Sequence, residues 1–271
     1  MARTTKKRTQ QLKHDKFRDT TLDAAGRLQH RFEGRGRTIL YAIGAAVALV
    51  ALLLAFNWWR ERRADEARFA LGKAIEIAEA PVSPTPQANQ TGPTFPNEQE
   101  RARKAVEAFQ KVQSDYGSPY SEIARYFAAA NLLTVDRPKG LSELEALTKG
   151  GGGEVAVRAR FALAQAREAD AQYDPAAALY RELLNDNSGA VSQNAVRLRL
   201  ATVLEKQGKK DEAAGLLFEM VKAAREAKGK DGKPPQTSTV VRAAADKLQE
   251  LSPERYAQLP AEPPPTGALP F

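Results

Sequence analysis

The fold is decided by AVRLRLATVLEKQGKKDEAAGLLFEMV, residues 195–221, which reads as a helix, a turn and a second helix. VRARFALAQAREADAQYDPAAALYRELLND, residues 157–186, has the same layout and superimposes on it. Leu163-Ala164 falls on Leu200-Ala201, Tyr173-Asp174-Pro175-Ala176 on Lys210-Asp211-Glu212-Ala213, and Tyr180 on Leu217. Further upstream, KAVEAFQKVQSDYGSPYSEIARYFAAANLL, residues 104–133, places Ala105, Phe109 and Val112 at i, i+4 and i+7, one face of a helix. A turn at Tyr116-Gly117-Ser118-Pro119 and another helix follow.

The residues opening each second helix set a period. Ala105, Leu141, Ala176 and Ala213 lie 36, 35 and 37 residues apart, with Leu141 the poor fit because it is not small. A period near 34 built from paired helices resembles the tetratricopeptide repeat, best over residues 206–221, next over 173–184, and across 97–228 as a whole. Residues 141–148 depart from it, lacking the small residue and the aromatic of a second helix. One such pair cannot bury its apolar stripe alone, so neighbours stack around a shared core. Small residues at Ala164, Ala176, Ala201 and Ala213 let helix backbones approach closely.

The resemblance implies a binding groove lined by first-helix residues that do not serve the repeat core. Those positions are Ile123, Tyr126 and Ala130, then Arg158, Phe161, Gln165 and Glu168, then Ala195, Leu198, Thr202 and Glu205. Tyr126, Phe161 and Leu198 would form an apolar stripe for an extended or helical protein segment. Each of them could equally be ordinary core packing. The Lys-plus-Asn clamp with which some tetratricopeptide adaptors hold a C-terminal carboxylate is missing.

The expected first repeat pairs a helix over residues 60–80 with one over 98–115. A Pro-rich insertion at 81–96, PVSPTPQANQTGPTFP, separates them, and its five prolines cannot join a helix interior. Asn89-Gln90-Thr91 within it matches a glycosylation sequon, a short pattern that arises easily by chance. Residues 240–251 read as a capping helix, and 252–271 as a Pro-rich disordered tail.

Before the repeats lies TILYAIGAAVALVALLLAFNWW, residues 38–59, a run of 22 residues without a charge. As a helix rising ~1.5 Å per residue it is about 33 Å long, matching a hydrocarbon core of ~30 Å. Tyr41 near one end and Trp58-Trp59 at the other suit the interfacial belts. The run is too long for a signal peptide and ends in bulky, then charged, residues, so an uncleaved anchor is expected.

The chain has a formal charge of +8, a value that invites a nucleic-acid reading. Residues 1–37 hold eleven Lys/Arg against four acids, so nearly all the excess sits in the tail before the apolar run. Five Lys/Arg lie within 20 residues of the run on each side, a tie. The whole basic tail favours a cytoplasmic N-terminus, with the large following domain outside. Phe17, Ala24, Ala25, Leu28 and Phe32 fall on one arc of a possible surface helix within the tail. No aromatic platform or motif supports nucleic-acid binding.

The expected fold class is therefore all-α, one transmembrane helix followed by an α-solenoid of tetratricopeptide-like hairpins. Zero cysteine excludes thiolate metal sites and a thiol nucleophile, and the two histidines, His14 and His30, both lie in the tail. Gly150–Gly153 lacks the Lys-Ser/Thr of a phosphate loop and reads as a relaxed turn. No enzyme activity, cofactor or metal is expected. A basic tail, one anchor and an external repeat domain resemble the ancillary subunit family of the bacterial Sec translocon. The stretch FQKVQSDYGSPYSEIA, residues 109–124, is also similar to envelope assembly proteins with tetratricopeptide repeats. The resemblance implies an inner-membrane protein with a periplasmic repeat domain. Its partners would be translocon subunits, a membrane-bound chaperone or exported clients, the alternative being a scaffold for outer-membrane or cell-wall assembly.

Overall fold

A computed structural model describes residues 36–84, 92–150, 153–227 and 237–262. Residues 1–35 of the basic tail with its proposed surface helix, the sequon at Asn89-Gln90-Thr91, the middle of the glycine run and residues 263–271 lie outside the described residues. The chain divides into two units, Met1–Asp65 and Glu66–Phe271.

Helix α1, Gly36–Ala78, runs from the first unit into the second. Its residues from Leu40 onward are long and apolar enough to cross a membrane. Leu40, Tyr41, Ile43, Val47, Leu52, Leu54, Phe56, Trp58 and Trp59 are each more than half exposed. A contiguous apolar surface of that size is costly in water. The helix satisfies its own backbone, which is what lets a single segment enter lipid.

The second unit is built from helical hairpins. After the end of α1 come α2 (Glu98–Asp115), α3 (Tyr120–Val135), α4 (Arg137–Lys149), α5 (Glu154–Ala169) and α6 (Tyr173–Leu184). Then follow α7 (Gln193–Lys206), α8 (Lys210–Glu226), α9 (Thr239–Leu251) and the short α10 (Pro253–Tyr256). From α2 onward each helix packs on its chain neighbours; in addition α3 touches α5 and α7 touches α9. No strand occurs among the described residues, only an isolated bridge between Val82 and Phe95. This is the stacked-hairpin architecture expected of tetratricopeptide-like repeats.

The repeat is visible as columns of buried side chains. Gly140, Ala176 and Ala213 are buried in the first turn of a second helix, and Ala105 is buried at the equivalent point midway along the longer α2. Four residues on, Phe109, Leu144, Tyr180 and Leu217 are each 0% exposed. Three further on, Val112, Leu147, Leu183 and Met220 close the column. Full burial of a side chain of this size contributes about 1.5–3 kcal/mol. The expected small residue Leu141 is thus displaced by one position. Gly140 takes the role, because a Cβ there would lie 2.7 Å from the Leu133 backbone nitrogen and 2.9 Å from the Leu132 carbonyl carbon. The second pair, which departs from the pattern in sequence, keeps it in space.

The helix turns repeat as well. Gln172 N–H donates to the Arg167 carbonyl and Lys209 N–H to the Leu204 carbonyl, both at 2.9 Å, closing α5 and α7 in the same way. The left-handed residue of this turn is Gly208 (φ 79°) after α7 and Ala171 (φ 55°) after α5. The α3–α4 turn differs: the Asp136 carboxylate caps α4 by accepting from the Lys139 N–H at 3.2 Å.

The first pair forms across the insertion, with Ala74 of α1 in one core cluster with Ala105, Phe109 and Val112 of α2. The ends of the insertion clasp each other, Ser83 N–H donating to the Phe95 carbonyl at 2.9 Å and Phe95 N–H to the Pro81 carbonyl at 3.2 Å. At the other end α9 packs on α8 and α7, and the folded chain continues past residue 252, where a disordered tail was expected to start. Helix α10 follows at once, and Tyr256 and Leu259 pack on the core. Arg225 holds this segment, donating to the Pro260 carbonyl at 2.6 Å and lying over the Tyr256 ring.

Candidate protein-binding cleft

A cleft of about 630 Å³ opens where α3, the end of α4 and the start of α5 meet. Pro119, Ile123 and Tyr126 line it from the α3 side, Leu147 from α4, and Val155 and Arg158 from α5. Gly150 and Gly153 border it without side chains, and a Cβ at Gly153, whose φ is 124°, would meet nothing within 4 Å.

The floor is aromatic and tied to the core. The Tyr126 ring lies 5.2 Å from that of Phe127, which stacks on Phe109 of the first pair, also at 5.2 Å. Burial raises the pKa of the Tyr126 hydroxyl, and the positive charge of Arg158 opposes that rise. Arg125 is held by the Glu143 carboxylate through Nε at 3.0 Å and Nη2 at 2.9 Å. Arg158 pairs loosely with Glu154 at 3.5 Å, and Glu122 adds an exposed carboxylate to the rim. The result is an apolar slot with charges of both signs at its edge, suited to a peptide carrying an apolar side chain.

Three of the groove positions implied by the repeat pattern, Ile123, Tyr126 and Arg158, come together in this cleft. The others do not line it. Phe161 meets the Tyr180 ring edge-on at 6.0 Å, and both Phe161 and Leu198 pack on the large core cluster. Thr202 donates its hydroxyl to the Leu198 carbonyl at 3.0 Å, and Gln165 is half-buried. Glu168 accepts from the buried Tyr180 hydroxyl at 2.8 Å and pairs with Arg199 of α7 at 3.5 Å. Glu205, at the equivalent position of the next repeat, pairs with Lys247 of α9. These two carboxylates join successive first helices and serve the stack.

Leu147, Val155 and Glu122 also line the cleft without having been singled out in the sequence. The available signal was the run Gly150–Gly153, whose two end glycines border the cleft. A second, more open depression of about 500 Å³ lies between α7 and α8 and is lined by Asn194, Arg197, Leu216 and Glu219, without an aromatic ring. Among the described residues no group of three His, Asp or Glu is placed to hold a metal.

No protein-family model matches the chain, and no curated protein matches it. Two solved structures are similar, both of a Podosopora anserina putative kinesin light chain with nearly identical TPR-like repeats, one of them a substituted form. Each is 17% identical and covers 59% of this chain, with 82% and 88% of the other chain covered and TM-scores of 0.45 and 0.44. The fold assignment rests on the buried columns and repeated turns of this chain itself.

Proposed function

We propose that the chain is a single-pass membrane protein whose tetratricopeptide-like domain binds protein segments in the cleft at Ile123, Tyr126 and Arg158. The N-terminus is cytoplasmic and the repeat domain faces the periplasm of a bacterial inner membrane. There it assists protein export or the folding of envelope proteins, holding clients or a membrane-bound chaperone near the Sec translocon. The mechanism is tethering: an anchored cleft meets emerging clients at a high effective concentration, so modest affinity suffices. The observation that carries this reading is the coexistence of an exposed, membrane-length apolar helix and an open aromatic cleft in a helical-repeat domain.

A photo-crosslinking residue at position 123, used in intact membranes, tests it. Crosslinks to translocon subunits, a membrane chaperone or exported chains are expected. Crosslinks confined to outer-membrane or cell-wall assembly proteins would move the reading to an envelope-biogenesis scaffold. Digestion of the repeat domain from the cytoplasmic face of oriented vesicles would overturn the assigned sidedness.

A further inference from the structure

The end of the apolar segment has an order of its own. Phe56, Trp58 and Trp59 are each more than half exposed, and Arg60, Arg62 and Arg63 follow them, also exposed. Each arginine stands four residues beyond an aromatic, giving the pairs Phe56–Arg60, Trp58–Arg62 and Trp59–Arg63. Residues four apart share a helix face, so each arginine follows its aromatic by one turn. The Arg62 guanidinium carbon lies 5.6 Å from the centre of the Trp58 ring. The Phe56 and Trp59 rings lie 6.2 Å apart.

The charges are also ordered along the helix. Arg60, Arg62 and Arg63 fall within about 6 Å of axial rise from Trp59. Of the nearby acids, Glu61 is turned from Arg60, Arg62 and Arg63 by about 100° or more, while Asp65 and Glu66 lie farther out, about 9 and 10 Å of axial rise beyond Trp59, Glu66 one turn past Arg62 on the same face. The positive groups therefore sit at headgroup depth, where tryptophan anchors and where a phosphodiester carries its negative charge.

We propose that Arg60, Arg62 and Arg63, set one turn above Phe56, Trp58 and Trp59, form a collar that binds the phosphodiester groups of anionic phospholipids. The proposal rests on the membrane reading of residues 38–59. It gives these arginines a lipid-binding role, which accounts for their presence beside the membrane on the side where a purely topological signal would omit them. Arginine suits this role because its planar fork meets two phosphate oxygens at once.

The chain has two tryptophans, both in the collar, so their fluorescence reports this region alone. The full-length protein is reconstituted in phosphatidylcholine vesicles containing a minority of phosphatidylglycerol. Native mass spectrometry of the extracted protein then counts retained lipids. Phosphatidylglycerol is expected to exceed its share of the mixture by on the order of tenfold. The combined substitution Arg60→Gln, Arg62→Gln and Arg63→Gln should reduce that preference to the mixture ratio, with the Trp58 and Trp59 emission still that of an apolar surrounding. The same three positions changed to Lys should keep most of the preference. Indifference to headgroup in the unsubstituted protein, an unaltered preference in the Gln variant, or a Lys variant as poor as the Gln variant would each overturn the collar. Water-exposed tryptophan emission from the unsubstituted protein in vesicles would instead overturn the membrane reading and the collar with it.

Discussion

Hairpins α3–α4 and α7–α8 follow one plan and spend it differently. In α7–α8 the small residue is Ala213, Leu217 fills the column, and a glycine turn at Gly208 closes the first helix. Its candidate groove residues Leu198 and Thr202 lie outside the cleft and are half-buried, Leu198 packing partly on the core and Thr202 donating to the Leu198 carbonyl. In α3–α4 the small residue is a glycine, the turn is capped by Asp136, and the connection to α5 is stripped of side chains. The cleft lies at that hairpin. The columns define the repeat, and the cleft proposed to take a partner opens where cap and connection depart from it.

The largest test of that contrast is at the glycines. At Gly140 a Cβ meets backbone atoms of α3 at 2.7 and 2.9 Å, and those cannot yield without parting the helices. Gly140→Val should destabilise the domain by about 3 kcal/mol, read from denaturant unfolding. At Gly215 in α8 a Cβ meets only the Arg255 Nη1 atom, at 3.3 Å, the far end of a long side chain. Gly215→Ala should be neutral or stabilise by up to about 1 kcal/mol, because alanine is the better helix former. Equal losses at the two positions would remove the claim that α4 approaches α3 unusually closely.

The same pair of positions bears on what could be read in advance. Helix pairing, the period and the buried columns at Ala176, Tyr180, Ala213 and Leu217 were legible because apolar spacing reports burial directly. The second pair was legible only in outline: with Leu141 taken as its opening residue, the register was one position off. Gly140, one position earlier, is the small residue the pattern calls for, but a glycine carries no hydrophobic signal to set the register. The cleft was half legible for a related reason. Ile123, Tyr126 and Arg158 follow from the repeat pattern, but the glycines that border the cleft carry no such signal, and the glycine run read only as a loop. Phe161 and Leu198 occupy positions of the same kind, and whether such a residue faces a groove or a neighbouring helix depends on packing that a single hairpin does not encode.

Leu198→Ala gives the next largest effect and separates the two hairpins by function. Leu198 packs on the core around α7, so its truncation should cost about 1.5 kcal/mol. Crosslinking from position 123 should be unchanged at a temperature where the variant remains folded. A stable variant that lost partner capture would return Leu198 to the binding surface.

Tyr180 is the one member of its column with a hydroxyl, since Leu144 and Leu217 hold the equivalent places in the two hairpins compared. Removing it in Tyr180→Phe leaves Glu168 without that donor and should cost about 1 kcal/mol near neutral pH. Burial, reinforced by the adjacent Glu168, raises the Tyr180 pKa well above the ordinary tyrosine value. As pH climbs past about 10 the unfolded chain loses this proton while the folded chain keeps it, so stability falls with rising pH. The slope from this one group reaches about 1.4 kcal/mol per pH unit above that point, and the Phe variant should lack it. Parallel alkaline unfolding profiles for the two proteins would show that Tyr180 is not shielded in this way.

The smallest effect on stability is expected where the effect on function is greatest. Arg158 leaves 49% of its side chain exposed and its contact with Glu154 is long at 3.5 Å, so Arg158→Ala should alter stability by no more than about 0.5 kcal/mol. Its guanidinium nevertheless lines the cleft beside Tyr126, where it supplies positive charge at the rim and the aliphatic stem that walls the slot. A several-fold loss of crosslinking from position 123, with unchanged unfolding, is the pattern of a residue that serves a partner. Coupled losses of stability and capture would make Arg158 a packing residue like Leu198, and the contrast between the two hairpins would then reduce to the close approach at Gly140.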